Sequence, residues 1–326
     1  MIWLTWRQHR LEGLITALVV VVVAALVGSL VVSAQPLLEQ IRHLCPVVVD
    51  DSCGRALTAF DARFGMFRQP LDLIFVVLPV LSGMFIGAPL LAREFEQGTD
   101  EIVWTQGITR RKWLFAKLAI LGSATIVMAG ILAVAGQEWS TAVPDNSYNQ
   151  WFAFDMQGPE VAAYALFSFG LGVAAGAAIG RTVPAMAVVL VGFLAVRAAI
   201  ALFARRNFLP PVTTELSGPL ISGQGQAWLM GNQQPVDLHG NSISPGQFDQ
   251  ITNACLTSPS PLPWLRDGLG GNFDLQACWH EHGIKVLQTY QPAERFPLFQ
   301  GIETAIFVIA AVALLGFALW LVRRRA

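Results

Sequence analysis

The sequence predicts an all-α polytopic membrane protein with six transmembrane helices, both termini cytoplasmic, and a large disulfide-containing extracellular loop domain. Three observations lead there. Of the 326 residues 54% are hydrophobic and 13% charged, with a mean hydropathy of +0.53, where a soluble domain carries about 25% charged residues. The apolar residues stand in blocks long enough to cross about 30 Å of hydrocarbon, not at amphipathic spacing. Basic residues crowd alternate ends of those blocks, and every cysteine falls on the opposite side.

The blocks run over residues 13–36, 71–92, 115–137, 159–180, 183–204 and 301–322. The first resembles a signal peptide, because Arg7 and Arg10 precede it and Ser33-Ala34 is a small-residue site. Its core is too long for that and further spans follow, so it reads as a membrane anchor. The second holds Pro79 and Pro89, each of which removes an intrahelical hydrogen bond and predicts a kink. In the fourth, Gly172, Gly176 and Gly180 recur every four residues and let another helix approach closely. Packing within the chain is the simpler expectation; a dimer seam is the alternative.

Six spans put both ends of the chain on one side. Arg7, Arg10, Arg93, Arg110, Arg111, Lys112, Lys117, Arg181 and Arg323–Arg325 then share that side, which identifies it as cytoplasmic. Cys45, Cys53, Cys255 and Cys278 all fall outside, where an oxidising compartment permits disulfides. Four cysteines allow three pairings. Cys45–Cys53 and Cys255–Cys278 are expected, since each pair closes a loop within one connection. Metal binding is a weaker reading: "CPVVVDDSC" lacks zinc spacing, and His280 and His282 beside Cys278 are too few. Residues 207–300, rich in Gly, Pro, Gln and Asn, exceed any ordinary loop and predict a small extracellular domain.

Arg197 interrupts the fifth block. A guanidinium in lipid must snorkel to the headgroups, pair with an acid or line an aqueous route. The acids expected within reach are Asp72 and Glu303, both at the outer ends of their spans. Residues 93–114 form the long cytoplasmic connection, where Phe95, Ile102, Val103 and Trp104 alternate with Glu94, Glu96 and Arg110. That mixture suits docking on a protein or the membrane interface.

"WRQHR" at the start, "AREFEQGTDEIVWTQGITRRKWLFAKL", "GRTVPAMAV", "YQPAERFPLFQGIETAIF" and the closing "RRR" resemble ABC-2 type ABC transporter permeases, particularly the actinobacterial type. The resemblance implies a six-helix transmembrane subunit, paired with a second permease copy or paralogue and two ABC ATPase subunits. It implies that residues 1–12 form a cytoplasmic interfacial amphipathic helix, with Trp3 and Trp6 at the interface and Arg7 and Arg10 on the headgroups. It assigns coupling to the ATPase to Arg93, Glu94, Phe95, Glu96, Gln97, Gly98 and Thr99. The cytoplasmic tail is 323–326.

The chain has no G-x-x-x-x-G-K-[ST] phosphate cradle, so ATP and Mg belong to the partner and no cofactor is expected here. "GQGQAW" lacks the lysine. No paired carboxylates sit in a credible pocket, which argues against an enzyme. A net charge of -1 gives no reason to expect nucleic acid. The resemblance implies export of a hydrophobic or amphiphilic molecule across the plasma membrane. The alternative is a signalling or assembly protein whose outer domain binds a ligand.

Overall fold

Apolar runs of this length become helices in a membrane because a helix satisfies its own backbone donors and acceptors without water. The computed structural model describes residues 2–45, 51–98, 110–143, 150–215, 227–231, 234–257 and 275–324. Among the described residues six helical stretches are long and apolar enough to cross a membrane: Gly13–Leu44, Ser52–Gln97, Lys112–Ala142, Glu160–Ile179, Thr182–Asn207 and Ala293–Arg324. They are built from α1 (Ile2–Leu44), α2 (Asp51–Phe64), α3 (Arg68–Ser82), α4 (Ala88–Gln97), α5 (Arg110–Ala142), α6 (Glu160–Ile179), α7 (Thr182–Ala199) and α10 (Phe296–Arg324).

The helices overrun several expected boundaries. α1 is continuous from Ile2, so a separate interfacial helix over 1–12 is not a break in the chain. Gly13 alone, at about 1 kcal/mol, does not stop a helix. The side chains of Trp3, Trp6, Arg7 and Arg10 lie outside the described residues. α4 likewise continues to Gln97, taking 93–97 out of the expected loop, and ends on Gly98 at φ 64°. Between Pro79 and Pro89 the chain does not break. It passes through a π turn, Gly83–Gly87, in which the Ala88 N–H donates to the Gly83 carbonyl.

α6 is the hub. Of its most apolar stretch 72% is buried, against 17% for the span containing α7. α3, α4, α5, α7 and α10 all pack against it. Glycine makes the closest of these approaches possible: a Cβ on Gly176 would lie 2.5 Å from the Ala88 carbonyl oxygen, and one on Gly172 would run into that of Gly83. Gly172 and Gly176 therefore serve packing within the chain. Gly180 does something else: at φ 68° it terminates α6, its N–H donating to Gly176.

The region expected to be a loop domain contains a small antiparallel sheet. β4 (Ile284–Gln291) is its centre. β1 (Val212–Glu215) pairs along one edge, while β2 (Trp228–Leu229) and β3 (Gln234–Asp237) pair in succession along the other. β4 alternates buried and half-buried residues, as a strand with one covered face does. Its Ile284 and Val286 pack under α8 (Pro245–Thr257) and α9 (Leu275–Glu281) with Trp279, Cys255 and Cys278. Cys255 is bonded to Cys278, and Cys45 to Cys53. An aromatic cluster of Trp151, Phe154, Phe296 and Phe299, with Trp228 of β2 against it, joins the sheet to the helix ends.

Candidate functional site

Two polar constellations interrupt the apolar bundle, one at each end of α7. At the sheet-bearing end α7 passes into a π turn, Ile200–Ala204, with the Arg205 N–H donating to the Ile200 carbonyl. That turn aligns two arginines. Eight residues of regular helix would leave Arg205 about 80° round from Arg197, and one inserted residue turns it back by about 100°. Both guanidiniums therefore reach the same two acids.

Arg197 lies 2.6 Å from Asp155 through Nη2 and 3.2 Å from Glu303 through Nη1. Arg205 donates from Nε and Nη2 to the two oxygens of Glu303, each at 2.8 Å, and from Nη2 to Asp155 at 2.7 Å. The Tyr164 hydroxyl donates to Glu303 Oε1 at 2.7 Å. Arg197 also lies over the Tyr164 ring, 3.9 Å from its centre, and Arg205 over Phe154 at 4.0 Å. Glu303 is fully buried and both arginines nearly so. Two positive and two negative charges cancel, which is the condition for keeping ions out of water. Asp155, partly exposed and outside the spans, shows the balance: burial alone would raise its carboxyl, but Arg197 and Arg205 outweigh that and hold it below the usual range.

Of the acids expected beside Arg197, Glu303 is there. Asp155 takes the place expected for Asp72, which belongs near the start of α3. Asp155, Arg205 and Tyr164 are the members that sequence reasoning missed. The available signal was an acid among aromatics in "WFAFDMQGPE", immediately before a span. Nearby Glu160 is fully buried, with neither carboxyl oxygen partnered among the described residues.

At the termini-bearing end the last turn of α4 is tied to two other spans. Glu94, expected on a docking surface, faces inward and pairs with the buried Lys117 of α5. The helix phase forces this, since Glu94 follows Leu90 and Leu91 on the buried side. Lys117 also sits 4.7 Å from the centre of the Trp113 ring. Glu96 Oε2 accepts from the Thr182 N–H at 3.2 Å and its hydroxyl at 2.8 Å, so a carboxylate of α4 holds the N-terminus of α7. Phe95 is half-buried against the Trp113 and Leu114 cluster, while Arg93, Gln97 and Gly98 are exposed. Thr99 lies outside the described residues.

A cavity of about 320 Å³ opens between α1, α3, α5 and α6, lined by Ile15, Val19, Leu78, Phe85 and Met128 among others. Two of its hydroxyls are turned to their own helices: Ser82 donates to Pro79 O and Thr125 to Leu121 O. The walls are predominantly apolar. In the sheet region Cys255, Cys278 and His282 lie together. The two sulfurs are bonded to each other and provide no thiolate for a metal.

No curated protein and no solved structure gives a significant match to the chain. Residues 16–205 match the family described as ABC-2 membrane transporter related. The matched stretch begins in the first span and ends on Arg205, so it takes in both arginines, Asp155, Tyr164 and the α4 ties. Covering well over half of the 326 residues, it establishes that the chain belongs to the ABC-2 membrane transporter related family.

Proposed function

We propose that this chain is the transmembrane permease subunit of an ATP-binding cassette exporter, driven by two copies of a separate cytoplasmic ATPase. The observation that carries the reading is the family match over five of six spans, in a chain without a phosphate cradle of its own. Basic residues on the termini-bearing side and disulfides on the other support an orientation with the ends of the chain in the cytoplasm. The ATPase would dock on the exposed end of α4, through Arg93, Gln97, Gly98 and the adjoining Thr99. Phe95 backs that surface, and Glu94 and Glu96 serve inside the permease. The predominantly apolar cavity supports a hydrophobic or amphiphilic substrate. A second permease copy or paralogue completes the translocation unit.

The test has two parts. Co-expressed with an ABC ATPase, the permease should capture it and raise its ATP hydrolysis in vesicles, and Arg93→Glu should weaken capture several-fold. In intact cells a membrane-impermeant thiol reagent should label Leu238→Cys directly and Arg93→Cys only after permeabilisation. Reversed labelling, or a permease that captures no ATPase, refutes the proposal.

A further inference from the structure

Among the described spans α7 is the least buried. Its buried residues, Ala185, Val189, Phe193 and Arg197, form one narrow stripe, and most of its remaining surface is turned away from the bundle. Polar contacts fix it at the ends: Glu96 grips Thr182, and Asp155 and Glu303 grip Arg197 and Arg205. A rigid helix about 22 Å long separates Thr182 from Arg197. Movement along its own axis must slide along that stripe, which packs against α4, α6 and the Gly83–Gly87 turn, with Phe193 against Phe167.

The two grips differ in strength. In the sheet-side cluster Glu303, Arg197 and Arg205 are buried, and only Asp155 reaches solvent. The Glu96–Thr182 contact is solvent-exposed and lies one residue from the exposed end of α4. An exposed carboxylate at a helix N-terminus shifts a local equilibrium by roughly fivefold, which a docking protein can overcome. Lys117 keeps α4 tied to α5 in the meantime through Glu94.

Building on the permease reading, we propose that α7 carries movement of the ATPase-docking end of α4 to the far charge cluster, with Glu96 as the positioning residue that joins them. When the end of α4 shifts, Glu96 draws the N-terminus of α7 with it. The helix displaces Arg197 and Arg205 against Asp155 and Glu303, and the π turn at Ile200–Ala204 is the weak segment that yields. A π turn interrupts the regular α-helical ladder and is frequent at functional sites. Glu96 thus acts through Thr182 and needs no contact with the ATPase.

The experiment uses the full permease–ATPase complex in lipid nanodiscs and reads amide hydrogen exchange over residues 200–207, with and without Mg-ATP and vanadate. The parent should change exchange there about fivefold on nucleotide trapping. Glu96→Ala should lose that response while still capturing the ATPase, and Thr182→Val should weaken it. Glu96→Gln should restore it, because an amide oxygen still accepts from both Thr182 groups. A response that survives Glu96→Ala overturns the proposal. So does loss of ATPase capture in Glu96→Ala, which would make Glu96 a docking residue, and so does a parent that captures ATPase without any change at 200–207. A parent that captures no ATPase refutes the permease reading itself and this inference with it.

Discussion

Glu303 shows what a buried acid needs to survive at the end of an apolar helix bundle. Its Oε1 accepts from Tyr164, Arg197 and Arg205, and its Oε2 from Arg205. Removing one arginine leaves a buried charge uncompensated, at about 3–5 kcal/mol. Arg205→Leu should therefore lower the melting temperature in detergent by about 5–10 °C. Arg197→Lys should also destabilise, since one ammonium cannot reproduce the fork that meets Asp155 and Glu303 from separate nitrogens. Arg197→Lys indistinguishable from the parent would mean that the two-acid geometry is not used. Asp155 adds a pH dependence. Its carboxyl is depressed in the folded protein, so it contributes stability fully present above its unfolded value of about 3.9 and lost as pH falls through the folded value. The stability gap between the parent and Asp155→Asn should be wide at pH 7 and close progressively below about pH 4. A gap constant down to acid pH would contradict the charge pairing. Arg197 announced itself in the sequence because one charge inside an apolar block is conspicuous. Arg205 and Asp155 stand beyond the block ends, where charges are ordinary, and only the π turn and the fold bring them in.

At the scale of elements, span number is a one-dimensional property of apolar length, and it was legible. How the spans meet depends on which glycines face a neighbour, and the four-residue repeat alone could not separate Gly172 and Gly176 from Gly180. A methyl at Gly176 meets the Ala88 carbonyl, so Gly176→Ala should push α6 and α4 apart and reduce the folded fraction by gel filtration. Gly180→Ala should cost about 1 kcal/mol through the left-handed cap alone, with the helix pair intact. Gly130, inside α5 with open space around it, is the control, and Gly130→Ala should leave the folded fraction unchanged or slightly raised. Equal behaviour of all three would remove close packing as the reason for these glycines. The sheet was not foreseen, because its strands are short and their partners distant: β4 pairs with β1 across a separation that no local pattern encodes. The ends of helices were equally illegible. Glu94 reads as a docking charge in a hydrophilic stretch, yet α4 continues past the membrane block and its phase turns Glu94 inward.

Across the whole molecule, the family-matched residues 16–205 supply both arginines, and the unmatched remainder returns Glu303 to neutralise them. The sheet region is therefore more than an appendage, for it spans the chain between Arg205 and the helix that bears the acid. It is anchored by aromatic contacts, Trp228 lying 5.3 Å from Trp151 and 6.2 Å from Phe299 between ring centres. Its own packing is stapled by Cys255–Cys278, which closes a separation of 23 residues and is worth about 3 kcal/mol. These two fastenings are separable. Reduction should loosen α8 and α9 from β4, because a core of five buried side chains is small and the disulfide pair is part of it. The bundle should hold, since neither Trp228 nor the arginine–acid cluster depends on that bond. Hydrogen exchange after mild reduction should therefore rise several-fold in α8 and α9 and stay unchanged in α6 and α10. Trp228→Ala should do the reverse at the junction, raising exchange around Phe296–Phe299 with the disulfide intact. If reduction exposed α6 and α10 to the same degree as α8 and α9, sheet and bundle would unfold as one unit, and the sheet region would be part of the core that keeps Glu303 buried.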